Sequence, residues 1–273
     1  MGASRSWRIL SILAFGYAFL YGPIVLLIVY SFNESKLVTV WSGFSLKWYG
    51  ELIHNEKLLE AAWLSFKIAF ASATLATMLG TLGAFVLDRF GRFGGRTLLG
   101  GMIAAPLVMP EVITGLAMLL LFVALDNMVG WPSGRGQTTI TIAHVTFSMA
   151  YVAIVVRSRL QLMDRSVEEA AMDLGARPVK VFFVITLPII APALVAGWLL
   201  GFTLSLDDLV IASFVSGPGS STLPMVIFSS VRLGVSPQIN ALATVFVVVI
   251  AICVFTAGRL ITRRDGNRPP EKL

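Results

Sequence analysis

The sequence predicts an all-α, polytopic membrane protein with six transmembrane helices. Three observations predict this fold class: 56% of the 273 residues are hydrophobic, only 13% are charged, and the mean hydropathy is +0.83. Because a soluble domain usually carries about 25% charged residues, the deficit indicates a chain that is surrounded by membrane lipid. Backbone hydrogen bonds must be satisfied internally in a bilayer, and long unbroken apolar runs do this as helices.

Six apolar runs are long enough to cross a bilayer, which takes about 20 helical residues. We predict spans at about 9–31, 62–87, 98–124, 138–160, 189–215 and 240–261. The first is expected to be retained, since its core is longer than that of a signal peptide and no cleavage site follows. The third is expected to kink at Pro106 and Pro110, which remove two backbone donors. We expect one transmembrane domain over 1–273, with core spans at about 62–261.

The basic residues indicate the orientation of these spans. Fifteen of the 21 Lys and Arg residues fall on the side that carries both termini and the loop at about 161–188. The side richer in basic residues is cytoplasmic, so both termini and this loop are predicted to lie inside. Membrane orientation therefore explains the net charge of +6, and no nucleic-acid partner is expected.

A polar stretch, residues 169–188, separates the fourth and fifth predicted spans and reads E-A-A-M-D-L-G-A-R-P-V-K-V-F-F-V-I-T-L-P. It predicts two short helices that meet at about 174–178. Gly175 is suited to end the first helix, and Pro178 is suited to the first turn of the second. A polar hairpin between membrane spans is typical of a docking site for another protein rather than of a catalytic site.

Motifs for catalysis, metal binding or nucleotide binding are missing from the sequence. It contains no Gly-x-x-x-x-Gly-Lys-Ser/Thr phosphate loop, no His-Glu-x-x-His and no Cys-x-x-Cys. His54 and His144 are isolated and are interpreted as surface or packing residues, and the single cysteine, Cys253, as a packing residue. We therefore predict a non-enzymatic chain without metal or cofactor, whose ATPase, if transport uses ATP, is a separate protein.

Three acidic residues fall within predicted spans: Glu111, Asp207 and Asp208. Each costs roughly 2.5–3.5 kcal/mol near the bilayer centre and requires a partner or water. At a rise of 1.5 Å per residue, Glu111 lies about 20 Å from Leu98, and Asp207 lies about 22 Å from Pro192. These similar depths predict one acidic zone that suits a cationic substrate, although ion pairs between helices remain an alternative. On one helix, Asp207 and Asp208 would point about 100° apart.

The order Glu-Ala-Ala, three residues, Gly, nine residues, Ile-x-Leu-Pro resembles the coupling-loop motif of permease subunits in bacterial ABC importers. The matching positions are Glu169, Ala170, Ala171, Gly175, Ile185, Leu187 and Pro188. Residues 105–115 and 202–211, with 31–33 and 214–219, further resemble polyamine-importer permeases, in particular a putrescine-type subunit.

This resemblance implies the type I ABC importer permease fold and a location in the bacterial inner membrane. It implies a second, homologous permease, two cytoplasmic ATPases that bind ATP and Mg²⁺, and a periplasmic polyamine-binding protein as partners. Glu169, Ala170, Ala171 and Gly175 would dock into the ATPase, and closure of the ATPase pair would turn the permeases outward.

Three alternatives stay open at this point. The first keeps the ABC importer and changes the cargo from putrescine to another small solute. The second is an ion-driven secondary transporter that uses the intramembrane carboxylates. The third, a membrane scaffold that transports nothing, is disfavoured because a scaffold has little need for intramembrane acids and paired prolines.

Overall fold

The structure is a computed structural model that describes residues 3–37, 40–233, 237–248 and 251–252. Within these ranges the chain is helical, and its loops form no β-strand. The helices are α1 (Ala3–Ser31), α2 (Lys47–Ile53), α3 (Glu56–Arg89), α4 (Arg96–Val108), α5 (Glu111–Val129), α6 (Gln137–Leu162), α7 (Ser166–Asp173), α8 (Pro178–Val181), α9 (Leu187–Leu206), α10 (Val210–Val215), α11 (Leu223–Leu233) and α12 (Pro237–Val248).

Five helical segments in the described ranges are long and apolar enough to cross a membrane. They are Ile9–Ser31, Glu56–Arg89, Glu111–Val129, Gln137–Leu162 and Pro178–Leu206. The predicted sixth span, 240–261, begins within α12, and most of its second half lies outside the described residues. The prediction of a single domain over 1–273 stays a prediction.

The chain separates into two compact units, of which the larger is Glu60–Val226. Its central element is α6, which packs against α4, α9 and α10. Val152, Val156 and Leu160 of α6 are buried against Ala84 of α3 and Ile190 of α9. Small residues permit this close packing: a Cβ at Gly80 would lie only 2.9 Å from the Met149 carbonyl oxygen.

The smaller unit comprises Met1–Leu59 and Ile227–Leu273. In its described part, the buried Asn33 organises the loop between α1 and α2. Its Oδ1 accepts a hydrogen bond from Ser42 N at 3.0 Å, and its Nδ2 donates to Val40 O at 2.7 Å. Trp48 Nε1 of α2 donates to the Asn33 carbonyl at 2.6 Å. The loop is thereby folded onto itself by polar contacts.

Two predicted spans are interrupted in the structure. The kink predicted in the span 98–124 is a full interruption: α4 ends at Val108, Met109 is extended (ψ 134°), and α5 begins at Glu111 after Pro110. Proline has no N–H and forces the preceding residue toward extended geometry. Pro106, by contrast, is accommodated inside α4.

The predicted span 189–215 is likewise interrupted. Its helix begins earlier, at Pro178, passes through a π-helical turn at Phe182–Thr186 and ends at Leu206. A new helix, α10, begins at Val210. Asp207 and Asp208 therefore lie in the break, and the prediction that they project 100° apart from one helix is wrong.

Candidate functional site

The two predicted short helices are present as α7 and α8, and we refer to residues 166–181 as the hairpin. Gly175 has φ +86°, in the left-handed region that favours glycine. Its N–H donates to Met172 O at 2.9 Å, and Ala176 N donates to Ala171 O at 3.0 Å. This pair of bonds is a Schellman motif, which satisfies the last carbonyls of α7. Pro178 then opens α8 as its first residue.

The start of α7 is held by Asp164. Its Oδ1 accepts a hydrogen bond from Ser166 N at 2.9 Å, which occupies one of the free N–H groups at a helix start. This bond holds the pKa of the exposed Asp164 carboxyl below its ordinary value. Both ends of α7 are thus fixed by local contacts.

The surface of the hairpin is partly apolar. Glu169, Ala170 and Gly175 are exposed, and Ala171 is half-buried. Leu174, at the tip, is 91% exposed, and Val179 is also exposed. The other three motif positions, Ile185, Leu187 and Pro188, follow the hairpin in the π-helical turn and the first residues of α9. The structure therefore brings four of the seven motif residues together on α7 and its turn.

A group of four charged residues, which we call the ion network, joins the hairpin to the end of α3. Arg89 Nε, on the last residue of α3, lies 2.7 Å from Glu168 Oε2 of α7. Arg89 also pairs with Asp88. Arg165 Nη2 donates to the Asp88 carbonyl at 2.8 Å and lies 3.4 Å from Asp88 Oδ2.

The second carboxylate oxygen of Glu168 is also engaged. Thr186 Oγ1, in the π-helical turn, donates to Glu168 Oε1 at 2.5 Å. The motif match selected Glu169 and missed Glu168, which precedes the motif and has no sequence signal of its own. Their 100° separation on the helix exposes Glu169 to solvent and buries Glu168.

The predicted intramembrane acids lie at the two interruptions. Glu111 is the first residue of α5 and is exposed, as is Asp207 at the end of α9. Gly115, one turn beyond Glu111, packs against α10, where its Cβ would lie 3.3 Å from Ile211 Cα. Ile211 is in turn about one turn beyond Asp207. Each interruption therefore lies roughly one helical turn from the contact between α5 and α10 at Gly115 and Ile211.

Asp208 differs from its neighbour Asp207, because its side chain is held by several groups. Its Oδ2 accepts a hydrogen bond from Ala212 N at 2.7 Å, and its Oδ1 accepts one from Ile211 N at 3.3 Å. These bonds cap the start of α10. His144 Nε2 of α6 lies 3.1 Å from Asp208 Oδ2. Asp208 therefore pairs with a residue on another helix, which was the alternative to lining the substrate pathway.

His144 continues this polar contact across the bundle. A hydrogen bond of 2.6 Å joins its Nδ1 to Ser205 Oγ of α9, and another of 2.9 Å joins Ser205 Oγ to Ser72 Oγ of α3. The His144 side chain is 2% exposed and that of Asp208 is 7% exposed. His144 is buried, as expected of a packing residue, but its pairing with Asp208 was not predicted. An isolated histidine gives no sequence signal for a partner 64 residues away.

Comparison with known proteins assigns these features to a family. Residues 76–264 match the inner membrane component of binding-protein-dependent transport systems. The chain is 61% identical over 262 residues to the putrescine transport system permease protein PotI of Escherichia coli K12, covering 96% of this chain and 93% of the relative. It is 42% identical over 251 residues to the spermidine/putrescine transport system permease protein PotC of Haemophilus influenzae, covering 92% and 95%.

The fold also occurs in a solved structure. A chain of a bacterial alginate ABC transporter, in complex with an alginate pentasaccharide-bound periplasmic protein, matches with a TM-score of 0.72 at 16% identity. The match covers 97% of this chain and 96% of that one. The predicted all-α, polytopic permease fold of type I ABC importers is therefore confirmed.

The His144–Asp208 contact generates a stability prediction. His144→Leu replaces the imidazole with an apolar side chain of similar size and removes one hydrogen-bonding partner each of Asp208 and Ser205, and a buried group that loses its partner costs about 1–3 kcal/mol. We expect a lower midpoint of thermal unfolding for the purified protein. In His144→Leu/Asp208→Asn the loss is expected to be smaller than the sum of the single losses, because the pair is coupled. Additive losses would contradict the contact.

Proposed function

This chain belongs to the family of inner membrane components of binding-protein-dependent transport systems, and from that premise we propose that it imports putrescine or a related polyamine as the transmembrane permease subunit of an ATP-driven importer. The observation that carries this proposal is the 61% identity to a putrescine permease over 96% of the chain. Residues 189–206, the Asp207–Leu209 break and the hairpin all lie within residues 76–264, which match the family model.

The partners follow from this assignment. A second, homologous permease completes the pathway, a periplasmic polyamine-binding protein delivers the cargo, and two cytoplasmic ATPase subunits bind ATP and Mg²⁺. The chain itself is non-catalytic. The solved relative in complex with a periplasmic protein supports the binding-protein partner. Both termini and the hairpin lie on the cytoplasmic side, in agreement with the excess of basic residues there.

The hairpin is the docking surface for the ATPase. Glu169, Ala170, Ala171 and Gly175 form its polar and small-residue face, and the exposed Leu174 supplies an apolar contact. Ile185, in the π-helical turn, and Leu187 and Pro188, at the start of α9, follow this surface along the chain. Closure of the ATPase pair on ATP turns the permeases from inward-facing to outward-facing, and hydrolysis resets them. The ATPase must therefore contact the hairpin differently in the two states.

The cargo pathway passes the two interrupted spans. Interrupted helices form substrate sites in many transporters, because helix ends and unpaired backbone groups line a cavity there. Polyamines carry ammonium groups, which carboxylates bind through charge-assisted hydrogen bonds. Asp207 and Glu111 are exposed at the interruptions and are available for this contact. Asp208, held by His144 and by the start of α10, keeps the break in shape instead.

The docking role is tested at Gly175. Gly175→Val forces a branched residue into left-handed geometry, at about 1–2 kcal/mol for an ordinary residue, and adds bulk at the docking surface. We expect the variant to insert normally, to lose most of the co-purified ATPase and to lose uptake. Gly101→Val is the control, because a Cβ there meets no atom within 4 Å. Full ATPase recovery and uptake in Gly175→Val would defeat the docking role.

The pathway role is tested by neutralising the acids one at a time. We expect Asp207→Asn and Glu111→Gln to slow putrescine uptake at saturating cargo by about tenfold or more, the equivalent of roughly 1.4 kcal/mol in the barrier to transport. Their expression should stay near that of the unmodified protein. Asp208→Asn should instead lower the amount of folded protein. Radiolabelled uptake and membrane immunoblots measure the two effects, and normal uptake in both Asp207→Asn and Glu111→Gln would refute the acidic zone.

A further inference from the structure

The ion network is not explained by docking or by cargo binding. Both oxygens of Glu168 are engaged within the chain, one by Arg89 and the other by Thr186. The side chains of Arg89 and Glu168 are only 9% and 10% exposed. A buried charged group costs several kcal/mol of desolvation, and a well-packed apolar pair would often be at least as stable. The best-supported use of such buried pairs is to fix the register of the elements that they join.

Apolar packing does not fill the space between the hairpin and α3. A cleft of about 650 Å³ lies there, lined by Phe85 of α3, Phe90 just after α3, Met172 of α7, and Phe182 and Phe183 of the π-helical turn. Arg89 and Glu168 form part of its wall. Phe85 contacts Phe182 edge-on, with ring centroids 4.9 Å apart, so apolar packing joins α3 to the π-helical turn. The contact of Arg89 with Glu168 joins α3 to α7 beside it.

The network also connects the hairpin to the interrupted span. Thr186 immediately precedes α9, and α9 continues without a break from Leu187 to Leu206. At 1.5 Å per residue, this helix carries a displacement over about 30 Å to Asp207. On the other side, Arg89 ends α3, whose Ser72 belongs to the polar contact with Ser205 and His144.

We infer that Glu168 and Arg89 are positioning residues that keep the hairpin in fixed register with α3 and α9. When the ATPase displaces the hairpin, both helices move with it, and the interruption at Asp207 changes shape. This inference rests on the proposed function, because it supplies the connection between the docked ATPase and the cargo pathway. Glu169 binds the ATPase, and its neighbour Glu168 transmits the displacement.

The test compares Glu168→Gln with Glu169→Gln in the complete importer, reconstituted in liposomes with its ATPase subunits and the putrescine-loaded binding protein. ATPase recovery, ATP hydrolysis and putrescine uptake are measured on the same preparations. For Glu168→Gln we expect normal ATPase recovery and continued hydrolysis, with putrescine transported per ATP reduced about fivefold or more, the lower end of measured coupling between sites. Glu169→Gln should instead reduce ATPase recovery.

Two further variants keep the outcome unambiguous. Asp126→Asn alters an exposed carboxylate at the end of α5 and should leave all three measurements unchanged. If Glu168→Gln fails to assemble, Thr186→Val removes one hydrogen bond to Glu168 at constant shape and should lower transport per ATP less strongly. An unchanged ratio of transport to hydrolysis in the assembled variants would overturn the inference. Failure of the unmodified chain to recover any ATPase would instead overturn the proposed function.

Discussion

The contact between Arg89 and Glu168 joins the hairpin to α3, and the proposed coupling of the ATPase to the cargo pathway depends on it. The hairpin leaves apolar side chains such as Leu174 and Val179 exposed, and a cleft lies between it and α3. Charged and hydroxyl groups from α3, α7 and the π-helical turn make the connection. The ion pair and the hydrogen bond join specified atoms and therefore favour one register of the hairpin on the bundle. These contacts connect the hairpin to α3 and to the π-helical turn that precedes α9.

The two interrupted spans meet a second constraint, since a backbone break within a membrane leaves N–H and C=O groups that lipid does not satisfy. Asp208 accepts hydrogen bonds from two such N–H groups at the start of α10, and the His144 ring contacts the same carboxylate. This arrangement divides the tasks of two adjacent acids. Asp208 stabilises the break, which leaves Asp207 exposed beside it. One local structural requirement thus generates the candidate contact for a cationic cargo.

Local features were predictable from the sequence, and features that depend on distant partners were not. Gly175 and Pro178 specify a helix end and a helix start by their backbone chemistry alone, so the hairpin was predicted correctly. Composition was sufficient for the fold class. The interruption at Pro110 was predicted only as a kink, because Pro106 carries the same signal and remains inside a helix. No proline or glycine marks the break at Asp207, and only its tertiary contacts reveal it.

The central claim, a docking hairpin on the cytoplasmic face, is tested most directly by its sidedness. Leu174→Cys in a Cys253→Ser background places a single thiol at the exposed tip, and Glu34→Cys in the same background places one in the predicted outer loop. A membrane-impermeant maleimide should label Leu174→Cys only in inside-out vesicles and Glu34→Cys only in spheroplasts, and the bound ATPase should protect Leu174→Cys. Labelling of Leu174→Cys in intact spheroplasts would contradict the claim.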